Sequence, residues 1–132
     1  MSASPTKPPS VADIERLAEK AYATIPETLR RHVKNVVIRV EEFPDEATEV
    51  EMELESPFDL LGLYRGVSLD RKSVMDPVGG PDFVFLYRRP LLDYWCETGE
   101  DLARVVRHVL IHEIGHHFGF SDADMAAIEA QD

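Results

Sequence analysis

Residues 112–122 read His-Glu-Ile-Gly-His-His-Phe-Gly-Phe-Ser-Asp, the pattern H-E-x-x-H-x-x-G-x-x-D. No other stretch constrains the chain as strongly. On a helix, His112 and His116 stand four residues apart, so both imidazoles leave the same face one turn apart. One nitrogen of each can then reach a single zinc ion at roughly 2.0–2.1 Å. Glu113 lies one step round the helix, too close in sequence to be the natural third ligand. It is placed to face the ion's open position and to accept a proton from a zinc-activated water.

The flanking residues support a helix. Thr98 with Asp101 three residues later reads as a capping start, with Glu100 and Asp101 near the positive end of the dipole. Leu102, Val105, Val106, Val109 and Leu110 form one apolar stripe. Glu113 falls in the middle of that stripe, with His112 and His116 on its edge, an arrangement costly to bury unless a cation satisfies all three groups. Ile111, Ile114 and Phe118 widen the apolar surface, which predicts cover on more than one side. Gly119 follows the last turn, where positive φ suits glycine, and lets the chain reverse toward Asp122. Asp122 is read as the third ligand. The competing reading makes Ser121 or Asp122 the cap of a final helix, Asp124 to Ala130, with Asp124 the fallback ligand.

Elsewhere the pattern is mixed. Residues 1–9 are rich in Pro, Ser and Thr and read as a flexible tail, leaving 10–132 as one domain. Ser10, with Asp13 three residues on, caps a helix whose apolar face is Ile14, Leu17, Ala18, Ala21 and Tyr22. Pro26 ends it, and 26–32 add a turn or two. Val36 to Val40, Leu60 to Val67 and Phe83 to Arg88 read as strands. Residues 44–57 are ambiguous: Val50, Met52 and Leu54 alternate, yet Glu46 to Glu55 also suits a helix. The segment 72–82, with Asp-Pro and Gly-Gly-Pro, reads as a loop. Pro90 to Cys96 starts a short helix.

Composition narrows the function. A net charge of −11 and a pI near 4.8 argue against nucleic acid or an anionic membrane surface as partner. The single cysteine, Cys96, excludes an intramolecular disulfide. No run is long enough to span a membrane and the N-terminus lacks the apolar run of a signal peptide. The expected location is the reducing cytoplasm. The oligomeric state stays open, a monomer included.

Three stretches, LLGLYRG at 60–66, FVFLYRRPL at 83–91 and HEIGHHFGFSD at 112–122, resemble the small bacterial zincin-like metallopeptidases, sometimes called minimal zincins. The resemblance implies an α+β zincin-like fold: a small mixed β-sheet packed against an N-terminal helix and the zinc-binding active-site helix. It also implies a cytosolic location, and Zn²⁺ at His112, His116 and Asp122 with Glu113 as base. The extended motif is also similar to that of the metzincins, with Asp in place of their third His. Metzincins place a Met-containing turn well downstream; here ten residues follow Asp122. Met125 is too close for that role and reads as core, and Ser73 to Pro77 lies upstream and reads as an ordinary loop.

The expected activity is zinc-dependent hydrolysis of a peptide or protein substrate, with the strand 60–67 as a candidate edge for main-chain pairing. The alternative is a zinc-binding scaffold or peptide-binding module with little or no hydrolysis. Retention of Glu113 favours the enzyme, because a structural zinc site needs no unligated carboxylate. His117 and His108 are read as exposed or structural and His32 as unrelated. Tyr64 and Tyr87 are read as core residues with wet hydroxyls, Tyr94 and Trp95 as core, and Arg88 and Arg89 as a solvated pair.

Overall fold

The computed structural model describes residues 7–33, 35–66 and 81–131. The predicted loop at 72–80, the Ser73 to Pro77 segment, Val67 and most of the N-terminal tail lie outside the described residues. The first helix, α1 (Val11–Ala23), starts as its sequence predicts. Ser10 Oγ accepts from the Asp13 backbone N–H and the Asp13 carboxylate accepts from that of Ser10. After a short helix, α2 (Glu27–Arg30), come β1 (Val36–Glu41), α3 (Glu46–Glu51), a 3-10 turn (Pro57–Asp59), β2 (Gly62–Arg65), β3 (Asp82–Tyr87), α4 (Arg88–Thr98), α5 (Leu102–His117) and α6 (Asp122–Glu129).

The three strands form a mixed sheet in the order β1-β3-β2, with β1 parallel and β2 antiparallel to β3. Residues alternate across β3: Val84 and Leu86 are fully buried, while Phe83, Phe85 and Tyr87 form a ring ladder on the opposite face. α1 packs against α5 and β1, and α5 also contacts β2, β3 and α6. One core therefore joins Ile14 and Ala18 of α1, Leu29, the sheet residues Val84 and Leu86, most of α5, and Met125 and Ile128 of α6. Val105, Val106, Val109, Leu110, Ile111 and Ile114 are all buried, so α5 is covered on more than one side, as its wide apolar surface predicts. The result is an α+β arrangement, a small mixed sheet packed with α1 and the motif-bearing α5. Among the described residues no helix is long and apolar enough to cross a membrane.

Three expectations are corrected and one open segment is decided. Thr98 does not cap α5: it ends α4, Gly99 turns the chain at φ +70°, and Asp101 is the N-cap, accepting from the Arg104 N–H at 3.2 Å. The ambiguous segment 44–57 is helical over Glu46–Glu51, capped by Asp45, and leaves Val50 and Met52 exposed. Tyr94 is exposed, with Glu100 beside its hydroxyl raising its pKa, while Trp95 is half-buried. Arg88 is no solvated partner of Arg89: it donates to the Pro9 carbonyl at 2.7 Å and to Glu42 at 2.8 Å. Arg89 instead lies over the Phe43 ring.

A candidate metal centre on α5

α5 ends in a Schellman turn. The Gly119 N–H donates to the His116 carbonyl and the Phe120 N–H to that of Gly115, with Gly119 at φ +81°. A Cβ on Gly119 would meet nothing within 4 Å, so only backbone strain opposes a side chain there. Gly119→Ala is expected to destabilise the fold by about 1–2 kcal/mol, with a smaller loss for Gly119→Asn, both measured by urea unfolding. His32, read as unrelated, packs its ring against Phe118 and Phe120 on either side of this turn.

The turn sends α6 back along α5. Ser121 is the cap of α6, in a reciprocal box with Asp124, so the helix begins at Asp122 and not at Asp124. This leaves Asp122 free of a capping duty and engages Asp124 in one. Gly115, inside the histidine motif, is the seat of α6: a Cβ there would come within 2.4 Å of the Met125 sulfur. Met125 is fully buried, a core residue as expected.

One donor atom each from His112, His116 and Asp122 lies within 4.8 Å of the others. His116 Nε2 and Asp122 Oδ1 are 3.6 Å apart. Two ligands each about 2.0–2.1 Å from a tetrahedral zinc stand roughly 3.4 Å apart, so His116 and Asp122 are near the spacing of two ligands on one ion. Two neutral imidazoles and a carboxylate are also donor types that zinc takes.

Glu113 is half-buried beside them. The Tyr64 backbone N–H faces its carboxylate, for a topological reason. Tyr87 N–H donates to the Leu61 carbonyl, and antiparallel pairs alternate between bonded and non-bonded. Tyr64 of the edge strand β2 therefore turns its N–H away from β3, toward α5. Burial pushes the Glu113 carboxyl above its ordinary pKa, against the opposing pull of His116 and of the Tyr64 N–H.

Tyr64 and Tyr87 are both core residues, as read, but the Tyr64 hydroxyl is bonded within the protein. That hydroxyl donates to Asp82 at 2.5 Å, and burial, reinforced by Asp82, pushes its pKa up. Its ring stacks on that of exposed His117, centroids 4.0 Å apart, so His117 is occupied by Tyr64. Tyr87 is buried, which together with the Glu41 charge pushes its pKa up to about 12.

Sequence reasoning missed Glu129. Its Oε1 is 2.5 Å from His112 Nε2 and 2.8 Å from His108 Nδ1, and the two imidazoles stack at 4.0 Å. Partial burial pushes the Glu129 carboxyl up, but the hydrogen bonds and charge of the two histidines outweigh it and hold the pKa below the ordinary value. His108 is exposed as expected, yet it is held beside the motif. The only signal in the sequence was the i, i+4 spacing of His108 and His112; nothing local pointed to a carboxylate 17 residues after His112. Asp124 joins no donor group among the described residues.

A family model described as zincin-like metallopeptidase matches residues 33–131, a span that includes the sheet and α3 to α6. No curated protein matches the sequence.

Proposed function

Because the chain belongs to the zincin-like metallopeptidases, we propose that it is a zinc-dependent peptidase in which His112, His116 and Asp122 hold the ion and Glu113 is the general base. The observation that carries this reading is the convergence of those three donors next to a half-buried carboxylate on the same helix. Zinc held there supplies Lewis acidity, polarising a carbonyl and lowering the pKa of water toward ~7.

The chain's own groups do the rest. The Tyr64 N–H faces the Glu113 carboxylate and favours its ionised form. A carboxylate oxygen of Glu113 takes the proton of the attacking water and delivers it to the leaving amine. The β2 strand, at the sheet edge and packed on α5, is the candidate for main-chain pairing with an extended substrate. A mixed peptide library incubated with zinc-loaded protein tests the activity; absence of any cleavage under saturating zinc rejects it. The alternative, a zinc-binding scaffold or peptide-binding module with little hydrolysis, is favoured by one observation: Glu129 already bonds the His112 nitrogen.

Asp122 is testable apart from stability, because Ser121 and not Asp122 caps α6. Its side chain is 92% exposed, so Asp122→Ala and Asp122→Asn are expected to leave the melting temperature of the apo-protein near wild type. Both should weaken zinc more than the 10–100-fold typical of losing an outer-shell partner. Wild-type affinity in both variants would reject Asp122 and turn attention to Asp124.

A further inference from the structure

His108, His112 and His116 are spaced i, i+4, i+8, a single row along α5 with a rise of roughly 6 Å per step. α6 runs back beside that row and places a carboxylate near each end, Asp122 at its first residue and Glu129 at its last. The pairing at the far end is as tight as that of the candidate metal centre. Donor atoms of His108, His112 and Glu129 all lie within 4.8 Å of one another. Arg107 fixes the backbone there by donating to the Glu129 and Gln131 carbonyls, both at 3.1 Å. Glu129 and His108 also line a cleft of about 480 Å³, with Leu61, Tyr94 and Val109 among its walls, that Glu113 does not line. An ion can therefore reach this end of the row from solvent.

We propose that His108, His112 and Glu129 form a second seat for a divalent transition-metal ion, exclusive with the first because both require His112. Two imidazoles one turn apart and a carboxylate from the facing helix match the donor chemistry of zinc. The contacts of 2.5 and 2.8 Å need to open by somewhat under about 1 Å to reach ligand–ligand spacing around a tetrahedral ion, within the reach of a glutamate side chain. An ion in this seat draws His112 away from His116 and Asp122 and leaves Glu113 without its metal. The seat is thus a place where metal is held without supporting hydrolysis. The exclusivity, but not the seat, rests on the proposed catalytic centre.

Calorimetric titration with Zn²⁺ alone separates the two. His116→Ala/Asp122→Ala removes only the first set, and His108→Ala/Glu129→Gln only the second; His116, Asp122 and His108 are more than half exposed, and circular dichroism verifies folding. The His116→Ala/Asp122→Ala protein is expected to bind one Zn²⁺ at least ~10-fold more weakly than wild type, with ring signals of His108 shifting in NMR spectra. Adding His108→Ala to it should abolish that binding. The His108→Ala/Glu129→Gln protein should stay within about threefold of wild type. If His116→Ala/Asp122→Ala takes up no more zinc than His112→Ala, or takes it up without His108, the second seat is overturned. If His108→Ala/Glu129→Gln fails to bind zinc, the catalytic centre is wrong instead.

Discussion

Glu113→Gln is expected to keep its fold and its zinc while peptide hydrolysis falls by about 10²–10⁴-fold, the usual worth of a positioned general base. The substitution is nearly isosteric, and the amide oxygen can still face the Tyr64 N–H. Only the capacity to take a proton is lost. Metal analysis and library cleavage on the same preparation decide it, and undiminished cleavage at full zinc content removes Glu113 from the base role. The pH dependence follows from the same group. The base works ionised, so activity is present above its pKa and lost as pH falls through it. Burial raises that pKa, so in the apo-protein Glu113 should titrate above the ~4.3 of a free glutamate. A bound cation pulls it back down. Carboxyl NMR titration with and without Zn²⁺ reads both shifts; an apo pKa at or below the free value contradicts the burial argument.

His112→Ala should have the largest effect on metal. His112 belongs to both donor groups, so its loss dismantles each, and zinc uptake should fall to the level of non-specific surface binding. His116→Ala removes only one group and should leave weaker, His108-dependent uptake. Stoichiometric zinc in His112→Ala would exclude the whole histidine row as the binding site. Fold stability separates a ligand defect from unfolding: His112 is only partly buried, so the apo-variant should melt close to wild type.

The chemistry-bearing part of this chain is legible because it is local. His112, Glu113 and His116 ride one helix, and a helix fixes the relative directions of residues four apart whatever surrounds it. The same holds for the Ser10–Asp13 box, for Gly119 with its positive φ, and for the alternation that makes β3 a strand with Val84 and Leu86 on the core side. Where two local solutions compete, the sequence leaves the outcome open. Thr98 and Asp101 both look like caps, and the choice fell to Asp101 because α4 extends through Thr98 and spends Gly99 on its own ending. Val50 and Met52 alternate like a strand, but among the described residues no strand pairs with them. The Asp45 cap and short-range helix bonds took the segment, leaving both side chains exposed.

What only the tertiary structure decided is every pairing between distant residues. Periodicity says that α5 is buried on several sides, not against what. The packing of β2 beside α5 brings the Tyr64 N–H to face the half-buried Glu113 carboxylate. Closure of β2 on β3 commits the Tyr64 hydroxyl to Asp82, 18 residues on. The fit of Met125 onto Gly115 sets the line of α6, and that line carries Asp122 to His116 and Glu129 to His108 and His112. The row of histidines was written in helix spacing, which local geometry enforces. The two carboxylates that face it depend on how one apolar surface beds into another, a property of the assembled core and of no single segment.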